Sequence, residues 1–380
     1  MRTRLPQSSA FTLVEMLVVI IIITAMLVIA VPNFQAMLSS SEAALAESQL
    51  KAAMRAGKDA ALRSTGDQDS AVVFTYIPGG RLTMGIYVKA GRLRDRHRIQ
   101  EVWRDVFVPA AVNEPVQLPR GWMVRGYAPP LSTDNGVAND ILSDPGDQWY
   151  ESYTGRAINN LIGNWVFPET HFHDNSDADL GLYRQTFMVR FQAGSGIMKL
   201  GSTESCLIFA PGANAEWRQN GVYSRYRADQ TADASRFVSR ILQAPYASSQ
   251  PGVDVLNDDD RRRLLGWEST DMILARPVSQ LALYDETRLA RAIGAQLNRQ
   301  TGSLYMDAGS SSGVPMFVGR TLPTPSRGSV QADINAWILG DTNLDGNFLP
   351  LDNGRVADAP EAKIFTIDRY TGALQNVEVQ

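Results

Sequence analysis

Residues 16–31 read MLVVIIIITAMLVIAV, a stretch from Met16 to Val31 without one charged side chain. Extended back to Phe11, the run holds a single acid, Glu15. A helix over 11–31 rises about 31 Å, enough to match a hydrocarbon core. Ahead of it stand Arg2 and Arg4 with no acid, which by the positive-inside bias puts the N-terminus in the cytoplasm. The plainer reading is a secretory signal peptide, with Val28 and Ala30 as small residues at a cleavage point. Two features oppose it. The apolar run exceeds the usual signal core of about 7–15 residues. Glu15 also places inside the run a charge that costs roughly 2.5–3.5 kcal/mol on insertion scales, so it calls for a partner.

The segment Ala10-Phe11-Thr12-Leu13-Val14-Glu15, the apolar run behind it and Pro32 together resemble the class III signal of type IV pilins and type II secretion pseudopilins. The resemblance covers about twenty-two residues, from Phe11 to Pro32. It implies that a prepilin peptidase cuts between Ala10 and Phe11 and methylates the new amino group of Phe11. It implies that Glu15 is the assembly acid, paired with the N-terminal amine of a neighbouring subunit. Pro32 stands where family members carry a helix-kinking proline. The residue before the cut is commonly Gly in that family and is Ala10 here. An ammonium–carboxylate pair is also a physical means of keeping Glu15 charged in a low-dielectric bundle.

Beyond Pro32 the chain is rich in alanine. Phe34, Met37, Leu38, Leu45, Leu50, Met54, Ala61 and Leu62 recur at helical spacing, which predicts one apolar stripe. Ser64-Thr65-Gly66-Asp67 ends the helix. AVVFTY (71–76), the turn 77–80 and RLTMGIYV (81–88) predict a β-hairpin. Further strands are expected at 102–108, 122–127, 186–192, 196–200 and 206–210, with a second hairpin turning at Ala193-Gly194-Ser195. Helices are expected at 234–243 and 286–297, an extended piece at 280–284, and a closing hairpin through Tyr370-Thr371-Gly372.

This order predicts an α+β fold. A long N-terminal transmembrane and amphipathic helix packs on an antiparallel β-sheet head, with a large insertion and a C-terminal extension. The division is a leader at 1–10, a helix at 11–64 (transmembrane over 11–31), a pilin-like head at 65–212 with an insertion at about 129–179, and an extension at 213–380.

Hydrophobic residues make up 44% and charged residues 20% of the chain, which excludes wholesale disorder and a polytopic membrane protein. The net charge of -4 gives no reason to expect specific nucleic acid as a partner. Cys206 is the one cysteine, so an intramolecular disulfide and a multi-cysteine zinc site are excluded. Its apolar neighbours, Leu207 to Ala210, predict a buried core thiol.

The loop Asp341-Thr342-Asn343-Leu344-Asp345-Gly346-Asn347, with Asp352 at its twelfth position, sets oxygen-bearing side chains at alternate positions around a glycine turn. Asp341, Asn343, Asp345, Asn347 and Asp352 are therefore candidate ligands for a structural Ca²⁺. Leu349 at the ninth position and Asp352 in place of Glu depart from the pattern, and an Asp/Asn/Gly surface turn is the alternative. His171 and His173, with Asp174, Asp177 and Asp179, read as a solvated loop rather than a metal site. Asp258-Asp259-Asp260-Arg261-Arg262-Arg263 reads as a helix start with acids at its positive end.

No nucleophile elbow, phosphate-binding glycine loop or metalloprotease helix is present, so no enzyme is expected. What the resemblance implies is a minor pseudopilin, H-type-like, in a short periplasmic filament of type II protein secretion. It would be a single-pass protein of the bacterial inner membrane, with a cytoplasmic N-terminus and its head in the periplasm or outside the cell. Its expected partners are prepilin peptidase, other pseudopilins or pilins, the inner-membrane assembly platform and membrane lipid. The alternative is a minor type IV or competence pilus subunit acting as an adhesive or DNA-binding module.

Overall fold

The computed structural model describes residues 13–76, 81–95, 102–110, 114–128, 164–166, 185–199, 206–209, 234–244, 256–257, 261, 272–293, 334, 337–340 and 362–377. The chain divides into two compact units, Met1–Glu47 and Ser48–Gln380. Helix α1 (Leu13–Arg63) begins in the first and ends in the second. It is continuous through position 32.

Within the second unit, six strands close into a barrel. They are β1 (Ser70–Tyr76), β2 (Leu82–Asp95), β3 (Val102–Pro109), β7 (Gln185–Phe191), β8 (Cys206–Phe209) and β9 (Met272–Pro277). Their order is β1-β7-β9-β8-β3-β2, and β2 pairs back onto β1, from Ser70 opposite Val88 to Tyr76 opposite Leu82, closing the ring. The short strand β4 (Val116–Gln117) adds to β2 outside that ring. Two of the barrel's contacts are parallel, β3 with β8 and β7 with β9. A second sheet of five antiparallel strands has the order β12-β11-β10-β5-β6. Its members are β5 (Trp122–Ala128), β6 (Asn164–Val166), β10 (Gln280–Asp285), β11 (Lys363–Ile367) and β12 (Leu374–Asn376).

This corrects the expected fold class. A closed six-stranded barrel with parallel contacts stands where an α+β pilin fold with an antiparallel sheet head was expected, and β9, from the supposed extension, is one of its staves. Among the described residues, no helix is long and apolar enough to cross a membrane. The reason for the error is physical. Alternation along a strand reports which face is buried, and a tight turn reports a local antiparallel partner. Neither reports a parallel partner far away in the chain, such as Leu274 beside Gln185.

The hairpins themselves form as expected: β1 with β2, β11 with β12, and a turn after β7 that brings Met198 opposite Phe191. Val73, Tyr87, Phe107, Met188, Ile208 and Ala275, one from each of the six strands, share a single buried cluster, so the barrel interior is filled with side chains. The outer face is covered as well. Val72 lies against Gly57 of α1, and Phe74 stacks on Phe187 with ring centroids 4.5 Å apart. Gly126 of β5 lies so near Phe187 that an added Cβ would stand 2.5 Å from the ring, so a side chain there would push the second sheet off the barrel.

Leu50, Ala53, Met54 and Ala61 form the buried stripe of α1 in this unit. Burial of Leu50 and Met54 stabilises the docking by about 1.5–3 kcal/mol each. Leu62, expected in the stripe, is exposed. Helix α2 (Ala234–Gln243) packs on β2 and β3, with Val238 and Ile241 buried and Leu242 against Gly91. Its C-terminal carbonyls, which lack partners within the helix, accept from the buried guanidinium of Arg261: Nη1 donates to Ile241 O at 2.5 Å and Leu242 O at 2.9 Å, and Nη2 donates to Ala244 O. Helix α3 (Glu286–Ile293) follows β10 directly. The helix expected over 286–297 extends past the described residues after Ile293.

Candidate functional site

The first unit carries the cleavage and assembly residues that the sequence singled out. From Leu13 to Leu27 every large apolar side chain of α1 is exposed, from 46% at Val19 to 82% at Leu13. Thr24 is the hydroxyl within this stretch, and it donates to Ile20 O at 2.8 Å. That bond satisfies the hydroxyl inside the helix and leaves the surrounding surface apolar. Glu15 lies in the first helical turn, where the positive end of the helix dipole favours a carboxylate. Ala10 and Phe11 lie outside the described residues, as do Asp341, Asn343, Asp345, Asn347 and Asp352 of the expected calcium loop, and His171 and His173. Among the described residues, no group of His, Cys, Asp and Glu is placed to hold a metal ion.

In the second unit one end of the barrel interior is ionic. Asp69, Lys89, Asp105 and Arg190 each stand two residues from an interior apolar side chain (Ala71, Tyr87, Phe107 and Met188), so alternation places them on the same inward face. Arg190 is the centre. Its Nη2 donates to Asp69 Oδ2 and to Asp105 Oδ2, both at 2.5 Å, and its Nε donates to Asp69 Oδ2 at 2.9 Å. Lys89 Nζ lies 2.5 Å from Asp67 Oδ2 and 3.2 Å from Asp105 Oδ1. Lys199 Nζ donates to Asp69 Oδ2 at 3.2 Å, and Ala193 N donates to Asp69 Oδ1 at 3.1 Å. The Arg190 guanidinium also sits 5.2 Å from the Phe107 ring centroid.

Burial pushes the Asp69 carboxyl up, but the Ala193 N–H bond and the Arg190 and Lys199 charges outweigh it and leave it below the ordinary carboxylate value. For Asp105 burial also acts upward, and it is outweighed by the Arg190 and Lys89 charges and the bonds from Arg190 and Arg92. Both acids are therefore held as carboxylates, and the network clamps β1, β2, β3 and β7 together at this end. Cys206 points into the same region, with Arg190 Nη1 3.7 Å from its sulfur. Burial pushes its thiol up to about 12 despite that cation, so it is a core thiol, as the sequence suggested, and a poor nucleophile.

The sequence reading did not single out this network. Its signal was present: Arg190 in TFMVRF and Lys89 after MGIYV are lone charges beside apolar runs, and Asp105 follows Arg104 within the otherwise apolar VWRDVFV. A charge that is buried in a strand needs a partner, but the partners lie up to 121 residues apart. A second buried polar pair, Arg125 Nε donating to Tyr284 Oη at 2.8 Å, lies in the five-stranded sheet, with Trp337 edge-on to the Tyr284 ring.

No family model, no curated protein and no solved structure matches this chain.

Proposed function

We propose that the chain is a structural subunit of a type IV pilin-like filament, a minor pseudopilin of a type II secretion apparatus, without catalytic activity. One observation carries the reading: the AFTLVE segment at 10–15 opens directly into a helix whose apolar side chains are all exposed from Leu13 to Leu27. Apolar surface of that extent is costly in water, at roughly 25 cal/mol for each Å². Lipid before assembly and neighbouring helices after it are the covers that fit. Anchoring in the inner membrane, with the barrel on the periplasmic side, belongs to the same proposal. It rests on the sequence of residues 11–31 and not on the described helix, since among the described residues no helix is long and apolar enough to cross a membrane. Prepilin peptidase, other pseudopilins and the assembly platform are the partners this reading requires.

N-terminal analysis and intact mass of the membrane-extracted protein test it. Cleavage after Ala10 leaves 370 residues, 380 less ten, beginning with N-methylated Phe11. The loss of Arg2 and Arg4 takes the formal charge from -4 to -6. Glu15→Leu removes the charge from the apolar run and keeps cleavage, while incorporation into filaments falls. A mature N-terminus near Val31, or normal incorporation of Glu15→Leu, overturns the proposal.

A further inference from the structure

We propose that Lys58 of α1 is a latch that makes three segments, distant in the chain, open and close as one unit. They are the end of the helix, the turn after β7 and the turn between β11 and β12. The head of Lys58 is on the last of these: Nζ donates to Tyr370 O at 3.0 Å and to Thr371 O at 2.8 Å. Its stem is held as closely. An added Cβ on Gly196 would stand 3.0 Å from Lys58 Cγ and 3.1 Å from Cε, and one on Gly372 would stand 3.3 Å from Cδ. Both glycines take positive φ, +62° and +66°, and both are buried although Ser195 and Thr371 beside them are exposed. The lysine therefore lies against one turn of the barrel and one turn of the five-stranded sheet, each of which meets it with a residue that lacks a side chain.

The same three segments share an apolar floor and two backbone ties. An added Cβ on Gly57 of the helix or on Gly372 of the hairpin would come within 3.2 Å of the Phe191 ring. Gly194 N donates to Ala61 O, near the end of α1, at 2.9 Å, and Met198 N donates to Arg369 O at 2.8 Å. Each tie joins only two of the segments, and a turn held by a single bond opens at low free energy. Lys58 reaches all three at once, because it belongs to the helix, packs on Gly196 and bonds the hairpin. Through that shared residue the opening of each segment depends on the other two, and the dependence runs in both directions. A displacement of the helix end is then felt at β11 and β12, and loosening of the hairpin is felt at the helix. This inference is independent of whether α1 enters a filament.

Hydrogen exchange of the full chain, read at single amides, tests the latch from both sides. Lys58→Met keeps the stem and removes the ammonium. Exchange at Gly372, Met198 and Gly194 is expected to rise together by about tenfold, the effect of losing a hydrogen bond from a charged donor, while the ladder between β1 and β2 is unchanged. Gly372→Ala acts from the hairpin side, by pressing a Cβ onto Lys58 and Phe191. It is expected to raise exchange at Gly194, which makes no bond to the hairpin. No rise in Lys58→Met, a rise confined to Gly372, an equal rise throughout the β1–β2 ladder, or an unchanged Gly194 amide in Gly372→Ala overturns the proposal.

Discussion

Arg190 and Asp69 meet inside the barrel with each side chain only 2% exposed, joined by two hydrogen bonds from the guanidinium to one carboxylate oxygen at 2.5 and 2.9 Å. Taking both charges out of water is expensive, and their attraction offsets that cost only while both are present. Removing one is therefore worse than never having had either. Arg190→Met is expected to destabilise the chain by about 3–5 kcal/mol, because it strands Asp69 and Asp105. Arg92→Ala, on the exposed rim of the same network, is expected to cost no more than about 1 kcal/mol. Urea unfolding followed by tryptophan fluorescence separates the two. Equal midpoints for both variants mean that the network is not the clamp.

The same network sets the response to acid. Asp69 and Asp105 have folded-state values below those of the unfolded chain, so their contribution is complete above the unfolded value of about 4. Below it the unfolded chain binds protons first, and stability falls with pH until the folded carboxyls protonate in turn. The urea midpoint should hold steady from neutral pH down to about pH 5 and then drop. In Arg190→Met the acids lose the cation that depresses them while burial still raises them. The drop should then shrink or reverse, because the folded carboxyls bind protons as readily as the unfolded ones. A wild-type midpoint that declines already between neutral pH and pH 5 contradicts this account.

Cys206 is expected to resist alkylation. With the thiol at about 12, the thiolate fraction at pH 8 is on the order of one in ten thousand. Iodoacetamide should add no mass to the native chain over an hour and one adduct after denaturation. Rapid labelling of the folded protein sinks the buried-thiol assignment.

Gly57 offers a test in which two effects have opposite signs. In an ordinary helix interior, Gly→Ala stabilises by about 1 kcal/mol. Here an added Cβ would run into Val72 Cγ2 and come within 3.2 Å of Phe191. Gly57→Ala should therefore destabilise, by about 1–3 kcal/mol, through overpacking between α1 and the barrel. A raised melting temperature in this variant means that the helix is not seated on β1 as described.

Local structure was readable from the order of residues. The helix from Leu13 to Arg63 was legible because the alanine-rich segment favours that conformation residue by residue, while the β-branched run before it was read as helical from its length and lack of charge. The hairpin of AVVFTY with RLTMGIYV was legible because a four-residue turn leaves two alternating strands no nearer partner than each other. Cys206 was legible as core because its own neighbours are apolar. Barrel closure and the ionic end were decided only in three dimensions. The contact of β7 with β9 and the meeting of Arg190 with Asp69 join residues far apart in the chain, and such contacts form only when many other strands have already taken their places. A lone arginine in TFMVRF shows that a counter-charge must exist, since burial without one is too costly. Which carboxylates supply it depends on the order of strands around the barrel, and no local pattern of residues encodes that order.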